Sequence, residues 1–428
     1  MSGRMDEGVE LTQLANGARV VTHQMPHLKS ATVGLWFATG SRHETLETHG
    51  ISHLLEHMAF KATTSRSARQ MAEEIEAVGG EINAATSQES TAYVARVLEA
   101  DTGLALEMLA DMLNNPKFDE EELERERGVI LQEIAGVADQ PEELVFEAAE
   151  EAAFTGQALG RPILGTKATV SRLGPSDLRG HLARHYSAQQ MVVCAVGAIS
   201  HDAIVRHCEA LFGRFNDSRA APPEPARFVG GARFLDRPFE QHHLVLAFEG
   251  PSYFDPGYFP ALVLSGVLGG GTSSRLFQKI REDHGLAYAI ESFGWGFADC
   301  GILGVHAATS SELAGKLMLK VAEECAELAS HGPSAAELAR TRAQIRAGLL
   351  MSLESTGARA EQLARQVQVH GKPLPAAELE ARISAVTESA VRDSAARIFR
   401  AKSRVWSEVG PGASARHVDK TVKQLMAS

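Results

Sequence analysis

Residues 49–60 read His49-Gly-Ile-Ser-His53-Leu-Leu-Glu56-His57-Met-Ala-Phe60, with no helix breaker after Gly50. On a helix, His53 and His57 leave the same face one turn apart, the spacing two imidazoles need to share a metal ion. Glu56 follows His53 by three residues and projects onto that side, while Leu54, Leu55 and Met58 face inward. The order H-x-x-E-H is the reverse of the commoner H-E-x-x-H metallopeptidase helix. Such a short pattern recurs by chance on surface helices, so it needs support from elsewhere in the chain.

A hydrolytic metal centre needs a third protein ligand and an open position. Glu121-Glu-Leu-Glu-Arg-Glu126-Arg-Gly-Val-Ile-Leu-Gln-Glu133-Ile is the natural donor. Val129, Ile130 and Ile134 mark its apolar side, and Glu126 and Glu133, seven apart, share one face. A carboxylate on an apolar helix side needs a cation, because burying it bare is too costly. Glu121, Glu122 and Glu124 read as a solvated acidic face at the helix start.

Outward from these segments the chain divides in two. Asn216-Asp-Ser-Arg-Ala-Ala-Pro-Pro-Glu-Pro-Ala226 lies near the midpoint and reads as an extended linker. Each side repeats one order of elements. Strand patterns at 31–37 and 243–248 are followed by helical stretches, then by hairpin-like segments at 80–98 and 285–306. Amphipathic helices come next, through Leu106, Leu109 and Leu113 in one half and Leu313, Leu317 and Val321 in the other. Asp119 and Ser334 are N-caps of the helices that follow, with Glu122 and Glu337 three residues on. The expected fold class is α+β: two homologous halves, each a largely antiparallel sheet with helices on one side, facing each other as a clamshell. The expected division is 1–215, a metal-binding half; 216–228, a linker; and 229–428, a second half without metal ligands.

Composition sets outer bounds. The chain has 428 residues, 44% hydrophobic and 22% charged, with a formal net charge of −12. That balance disfavours nucleic acid and anionic membranes as partners. No apolar run approaches a membrane span, and the first residues resemble neither a secretion signal nor a transit peptide, so a cytoplasmic protein is expected. Cys194, Cys208, Cys300 and Cys325 are scattered and form no C-x-x-C pair, which reads as buried, reduced thiols. The paired histidines His181 with His185, and His242 with His243, read as packed or solvated residues. Gly269 to Gly271 lack the pattern of a phosphate loop.

Several separated segments together resemble the pitrilysin family of inverted zinc peptidases, in its branch of mitochondrial processing peptidase β-subunits and bacterial relatives. They are Gly40-Ser-Arg-His-Glu44, the 50–58 helix with Phe60-Lys61, Gly79-Gly80-Glu-Ile-Asn83-Ala84, Glu126 with Glu133, His185-Tyr186 to Met191, and Gly269-Gly-Gly-Thr-Ser-Ser-Arg275-Leu276. The resemblance implies one Zn²⁺ per chain on His53, His57 and Glu133, with Glu56 as general base and Glu126 as the carboxylate that orients a ligand. It implies that Asn83, Ala84 and Ala85 lie on an edge strand that binds extended peptides. It gives Arg281 and Tyr288 substrate-holding and oxyanion-stabilising roles. It places Glu143 and Glu147 as a site for a basic substrate residue. In the repeat register, Gly270, Ser273 and Ser274 take the places of His53, Glu56 and His57. The implied activity is an endopeptidase acting on peptides or unfolded, presequence-like segments. A homodimer is expected, with a heterodimeric processing peptidase subunit or a non-catalytic scaffold as the alternatives.

Overall fold

The computed structural model describes residues 6–216 and 221–413. The chain forms two compact units, and neither is a contiguous half. Unit 1 is Met1–Ala135, Pro162–Glu224 and Leu350–Glu378; unit 2 is Gly136–Arg161, Pro225–Leu349 and Leu379–Ser428. Residues 221–230 have no regular structure, as the prolines there dictate, while 217–220 of the expected linker lie outside the described residues.

Unit 1 is built on β1 (Val9–Gln13), β2 (Arg19–Gln24), β3 (Ser30–Phe37), β4 (Glu81–Thr86), β5 (Thr91–Leu98) and β6 (Met191–Gly197). Unit 2 is built on β7 (Gly231–Asp236), β8 (His242–Gly250), β9 (Ala289–Gly296), β10 (Gly301–Thr309) and β11 (Arg404–Gly410). The sheet orders are β1-β2-β6-β3-β5-β4 and β7-β11-β8-β10-β9. With β1 set aside, both follow one permutation, and among the described residues each has a single parallel pair in the same place, β2 with β6 and β7 with β11. The repeat read from the sequence is therefore a repeat of topology. Both sheets are mixed but mainly antiparallel, and β4 and β9 are the corresponding edge strands.

Side chains alternate between the two faces of each sheet. In β3, Val33, Leu35 and Phe37 join one core with α1 (Ile51–Ala59), α2 (Ala68–Ala77) and α3 (Thr102–Asn114), while Trp36 enters another. That second core holds Ala360, Leu363, Ala364 and Val367 of the helix Thr356–His370, so a late segment of the chain covers the early sheet. The converse holds in unit 2. Leu244, Leu246 and Phe248 face its main core, whereas Val245 and Ala247 pack against Val145, Ala149 and Ala152 of α5 (Pro141–Ala153). Helices thus lie on both faces of each sheet, because the central strands are apolar on both sides and each second face needs a cover. Arg359 anchors the cover in unit 1: it is 1% exposed and bonds Asp6 at 2.7 Å and His23 Nδ1 at 3.1 Å. All four cysteines are free and buried.

Behind α1, the ring of His181 lies 4.7 Å from that of His185, and His43 lies 6.0 Å from His185. Burial, reinforced by His185, lowers His181 to about 3 and His43 to about 4. A free histidine titrates near 6.5, so between that pH and these values the unfolded chain binds more protons than the fold. Stability is therefore lost as pH falls through that window. In chelator the urea midpoint is expected to drop steadily from pH 7 to 4.5, with a shallower drop in His181→Gln. An identical slope in the variant would remove His181 from the account.

Candidate metal centre and active site

Gly50 enters α1 at φ +93°, where a side chain is strained, and a Cβ there would come within 2.8 Å of the Leu164 carbonyl oxygen. The open N–H groups at the start of this helix are met by Glu44, whose carboxylate accepts from Gly50 N and Ser52 N, each at 2.8 Å. An interaction of this kind contributes about 1 kcal/mol, and negative charge suits a helix N-terminus. Ile51, Leu54, Leu55 and Met58 are buried at 0–1% exposure, each stabilising by roughly 1.5–3 kcal/mol. With that face fixed, His53 and His57 point the other way, their rings 4.6 Å apart.

Helix α4 (Glu120–Val137) brings Glu133 to the two histidines. Asp119 caps it, accepting from Glu121 N at 3.0 Å. Its inward stripe is Leu123, Glu126 and Ile130; Val129, expected on the apolar side, is 40% exposed because it falls one residue out of step with that stripe. Glu121 and Glu122 pair with Arg125, and Glu124 with Arg127, the solvated acidic face expected. Glu133 Oε2 lies 3.7 Å from His57 Nε2 and 3.9 Å from His53 Nε2. These gaps are too wide for hydrogen bonds. They suit atoms that each approach a common ion at about 2.0–2.1 Å. Glu133 Oε2 is buried and has no hydrogen-bond partner among the described residues, which fits a ligand atom. Burial, with His57 beside it, lowers His53 to about 4, leaving it neutral and metal-competent near pH 7. Two imidazole nitrogens and one carboxylate oxygen fit zinc with a fourth position open.

Glu126 does not join this set. Its Oε2 is 3.0 Å from His57 Nδ1 and its Oε1 2.6 Å from Lys61 Nζ, so it turns the other ring nitrogen of His57 toward Glu133. Glu126→Gln is expected to weaken zinc affinity by about 10–100-fold without abolishing binding, measured by competition with a chromogenic chelator. Unchanged affinity would show that the His57 ring is held by packing alone. Burial raises the carboxyl of Glu56 above its usual range, with Thr86 on β4 pulling the other way, and Glu56 Oε2 has no partner among the described residues.

The other predicted residues are placed as follows. Asn83, Ala84 and Ala85 lie on β4, which among the described residues pairs only with β5, and Asn83 Oδ1 accepts from Ala84 N at 2.9 Å. Glu143 and Glu147 lie one turn apart on α5; burial, then the charge of Glu143, raises Glu147 to about 7. Arg281 is exposed in the π-helical segment Phe277–Asp283, its guanidinium 4.6 Å from the centre of the Phe277 ring. Tyr288 is 64% exposed just before β9. Gly270, Ser273 and Ser274 fall in the turn after the helix Tyr258–Gly269, so in element order that helix, which carries no metal-ligating residue type, takes the place of α1. The register expected from sequence set the glycine-rich turn against α1 because the helix before it is apolar nearly all round and offers no amphipathic stripe to align. The supports that sequence reading missed are Glu44 and Lys61. Both stand inside segments flagged by resemblance, but their partners lie beyond any local pattern.

Two sheets of one topology, with the histidine pair of α1 facing Glu133 of α4, define the site, and comparisons with known proteins give its family. Residues 19–167 match the family description "Insulinase (Peptidase family M16)" and residues 172–345 match "Peptidase M16 inactive domain". An uncharacterized zinc protease of Streptomyces coelicolor is 38% identical, over 94% of this chain and 90% of its own length. A probable mitochondrial-processing peptidase subunit beta of Arabidopsis thaliana is 37% identical, over 94% of this chain and 78% of its own. In fold, the chain is similar to a protease from Helicobacter pylori with a TM-score of 0.88 at 21% identity, covering 94% of this chain and 99% of the other. It is similar too to a chain of complex III2 from Candida albicans, with a TM-score of 0.85 at 23% identity, covering 98% of this chain and all of the other (100%). The chain belongs to peptidase family M16, and its similar relatives include proteins named as zinc proteases. Among the described residues, no helix is long and apolar enough to cross a membrane.

Proposed function

We propose that this protein is a zinc-dependent endopeptidase that hydrolyses peptides or unfolded, presequence-like segments. The observation that carries the proposal is the convergence of His53 Nε2, His57 Nε2 and Glu133 Oε2 beside the Glu56 carboxylate, whose Oε2 has no hydrogen-bond partner among the described residues. Zinc held by His53, His57 and Glu133 would supply a Lewis acid and make a bound water more acidic. Glu56 accepts the proton of that water and returns it to the leaving amine. Asn83, Ala84 and Ala85 offer the free edge of β4 to an extended peptide backbone, a mode that tolerates many side chains. The exposed hydroxyl of Tyr288 and guanidinium of Arg281 are assigned to oxyanion stabilisation and peptide holding. Glu143 and Glu147 are assigned to a basic substrate residue, since a guanidinium would offset the burial and the neighbouring Glu143 charge that raise Glu147.

Retention of all three ligands and the base argues against a scaffold. We further propose a homodimer, which sedimentation of the protein expressed alone would distinguish from half of a heterodimer. The test of function is hydrolysis of a quenched arginine-containing peptide and its norleucine counterpart, with chelator and zinc add-back. Chelator-sensitive cleavage, faster for arginine, is expected. Cleavage that ignores the chelator would end the metallopeptidase reading, and equal rates would end the arginine assignment.

A further inference from the structure

Unit 2 contains a second convergence of ligand types, unrelated to the first. His306 on β10 stands directly opposite Glu291 on the edge strand β9, and Glu142 in the first turn of α5 approaches the same point. One nitrogen of His306 and one oxygen from each carboxylate lie within 4.8 Å of one another. His306 is 2% exposed, and its Nδ1 is buried without a hydrogen-bond partner among the described residues. That atom lies 3.5 Å from Glu291 Oε1, outside good hydrogen-bond distance.

The ring is held from its other side. His306 Nε2 is 3.2 Å from His243 Nδ1, the two rings are stacked 5.4 Å apart, and Phe146 packs at 5.1 Å. When Nε2 carries the proton and donates it to His243, the lone pair of Nδ1 faces two carboxylates. In that tautomer the buried lone pair and the two exposed carboxylates together offer a cation three ligand atoms.

We propose that His306, Glu142 and Glu291 bind a second divalent cation, zinc or a similar d-block ion, with His243 fixing the tautomer of the ligating ring. One imidazole nitrogen with two carboxylate oxygens favours such an ion over magnesium or calcium, which take all-oxygen shells. A histidine ligand whose other nitrogen is tied to a neighbour is the usual arrangement at metal sites. Because Glu142 comes from α5 and the other two ligands from the sheet, the ion would pin α5 to β9 and β10. The proposal is independent of the centre on α1 and α4.

The test is metal content of tag-free full-length protein, stripped with chelator, dialysed against zinc chloride at pH 7.5 and washed. Wild type is expected to retain about two zinc ions per chain, and the His53→Ala/His57→Ala double variant about one. Glu142→Gln/Glu291→Gln, whose sites are exposed and tolerant, should also retain one, with a Co²⁺ difference spectrum lacking one set of d–d bands. His306→Gln should behave likewise if it folds. Wild type holding one ion that the Glu142/Glu291 pair does not affect would overturn the proposal. So would a Glu142/Glu291 pair that loses only affinity for an arginine peptide, which would make the cluster a guanidinium site. Failure of the first centre reads differently: the His53/His57 variant would then lose no zinc.

Discussion

Glu56→Gln is expected to lower kcat for peptide hydrolysis by about 10²–10⁴-fold while leaving zinc content unchanged. The substitution keeps the shape of the side chain, and Glu56 is not one of the three convergent ligand atoms, so the metal has no reason to leave. What disappears is a carboxylate able to take a proton from the attacking water. Burial raises its proton affinity, which brings the base nearer to the pH at which it works. The base must be ionised, so kcat/KM in wild type falls as pH drops through the pKa of that carboxyl. In Glu56→Gln the residual activity should lose that fall. The measurements are initial rates from pH 5 to 8 and zinc per chain by atomic absorption. Retention of a third or more of wild-type kcat, with zinc bound, would remove Glu56 from the chemistry.

Much of this site was legible because its determinants are local. The four-residue spacing of His53 and His57 and the inward Leu54, Leu55 and Met58 follow from helix geometry alone, and α1 displays them as expected. The alternation in β3 and β8 likewise announced strands, and the capping glutamate of Ser334 bonds back to it at 2.7 Å. What local pattern could not give was partnership across the chain. Periodicity on α4 put Val129 inside, yet the stripe that is buried runs through Leu123, Glu126 and Ile130. Nor could it choose between Glu126 and Glu133, which share a helix face; that choice depends on where Lys61 and the two imidazoles end up. The exchanged covers were invisible for a related reason. Nothing in the sequence of Thr356–His370 or α5 says which sheet its apolar stripe will meet, and contiguity made the nearer sheet the default.

The choice between the two glutamates leads to the other large effect. Glu133→Gln is expected to abolish peptide hydrolysis and to weaken zinc binding well beyond the roughly 10–100-fold that loss of a supporting partner causes. A neutral amide is a poor zinc ligand, and the remaining imidazoles of His53 and His57 would have to hold the ion with water. Glu126→Gln touches the same histidine but leaves all three ligand atoms in place, so the two variants separate a ligand from a residue that orients one. Thermal unfolding gives a readout independent of turnover. Zinc at about 1,000 times Kd stabilises a protein by ~4.1 kcal/mol, whereas a thousandfold rise in Kd leaves only a few tenths at the same concentration. Wild type titrated with zinc should therefore show a large rise in Tm, Glu126→Gln a reduced one, and Glu133→Gln almost none from this centre. The comparison is best made with Glu142→Gln/Glu291→Gln in every background, so that the site in unit 2 adds nothing to the shift. Were Glu126→Gln the variant that lost the response and Glu133→Gln the one that kept it, the ligand assignment would be reversed, and α4 would have to turn to bring Glu126 to the ion.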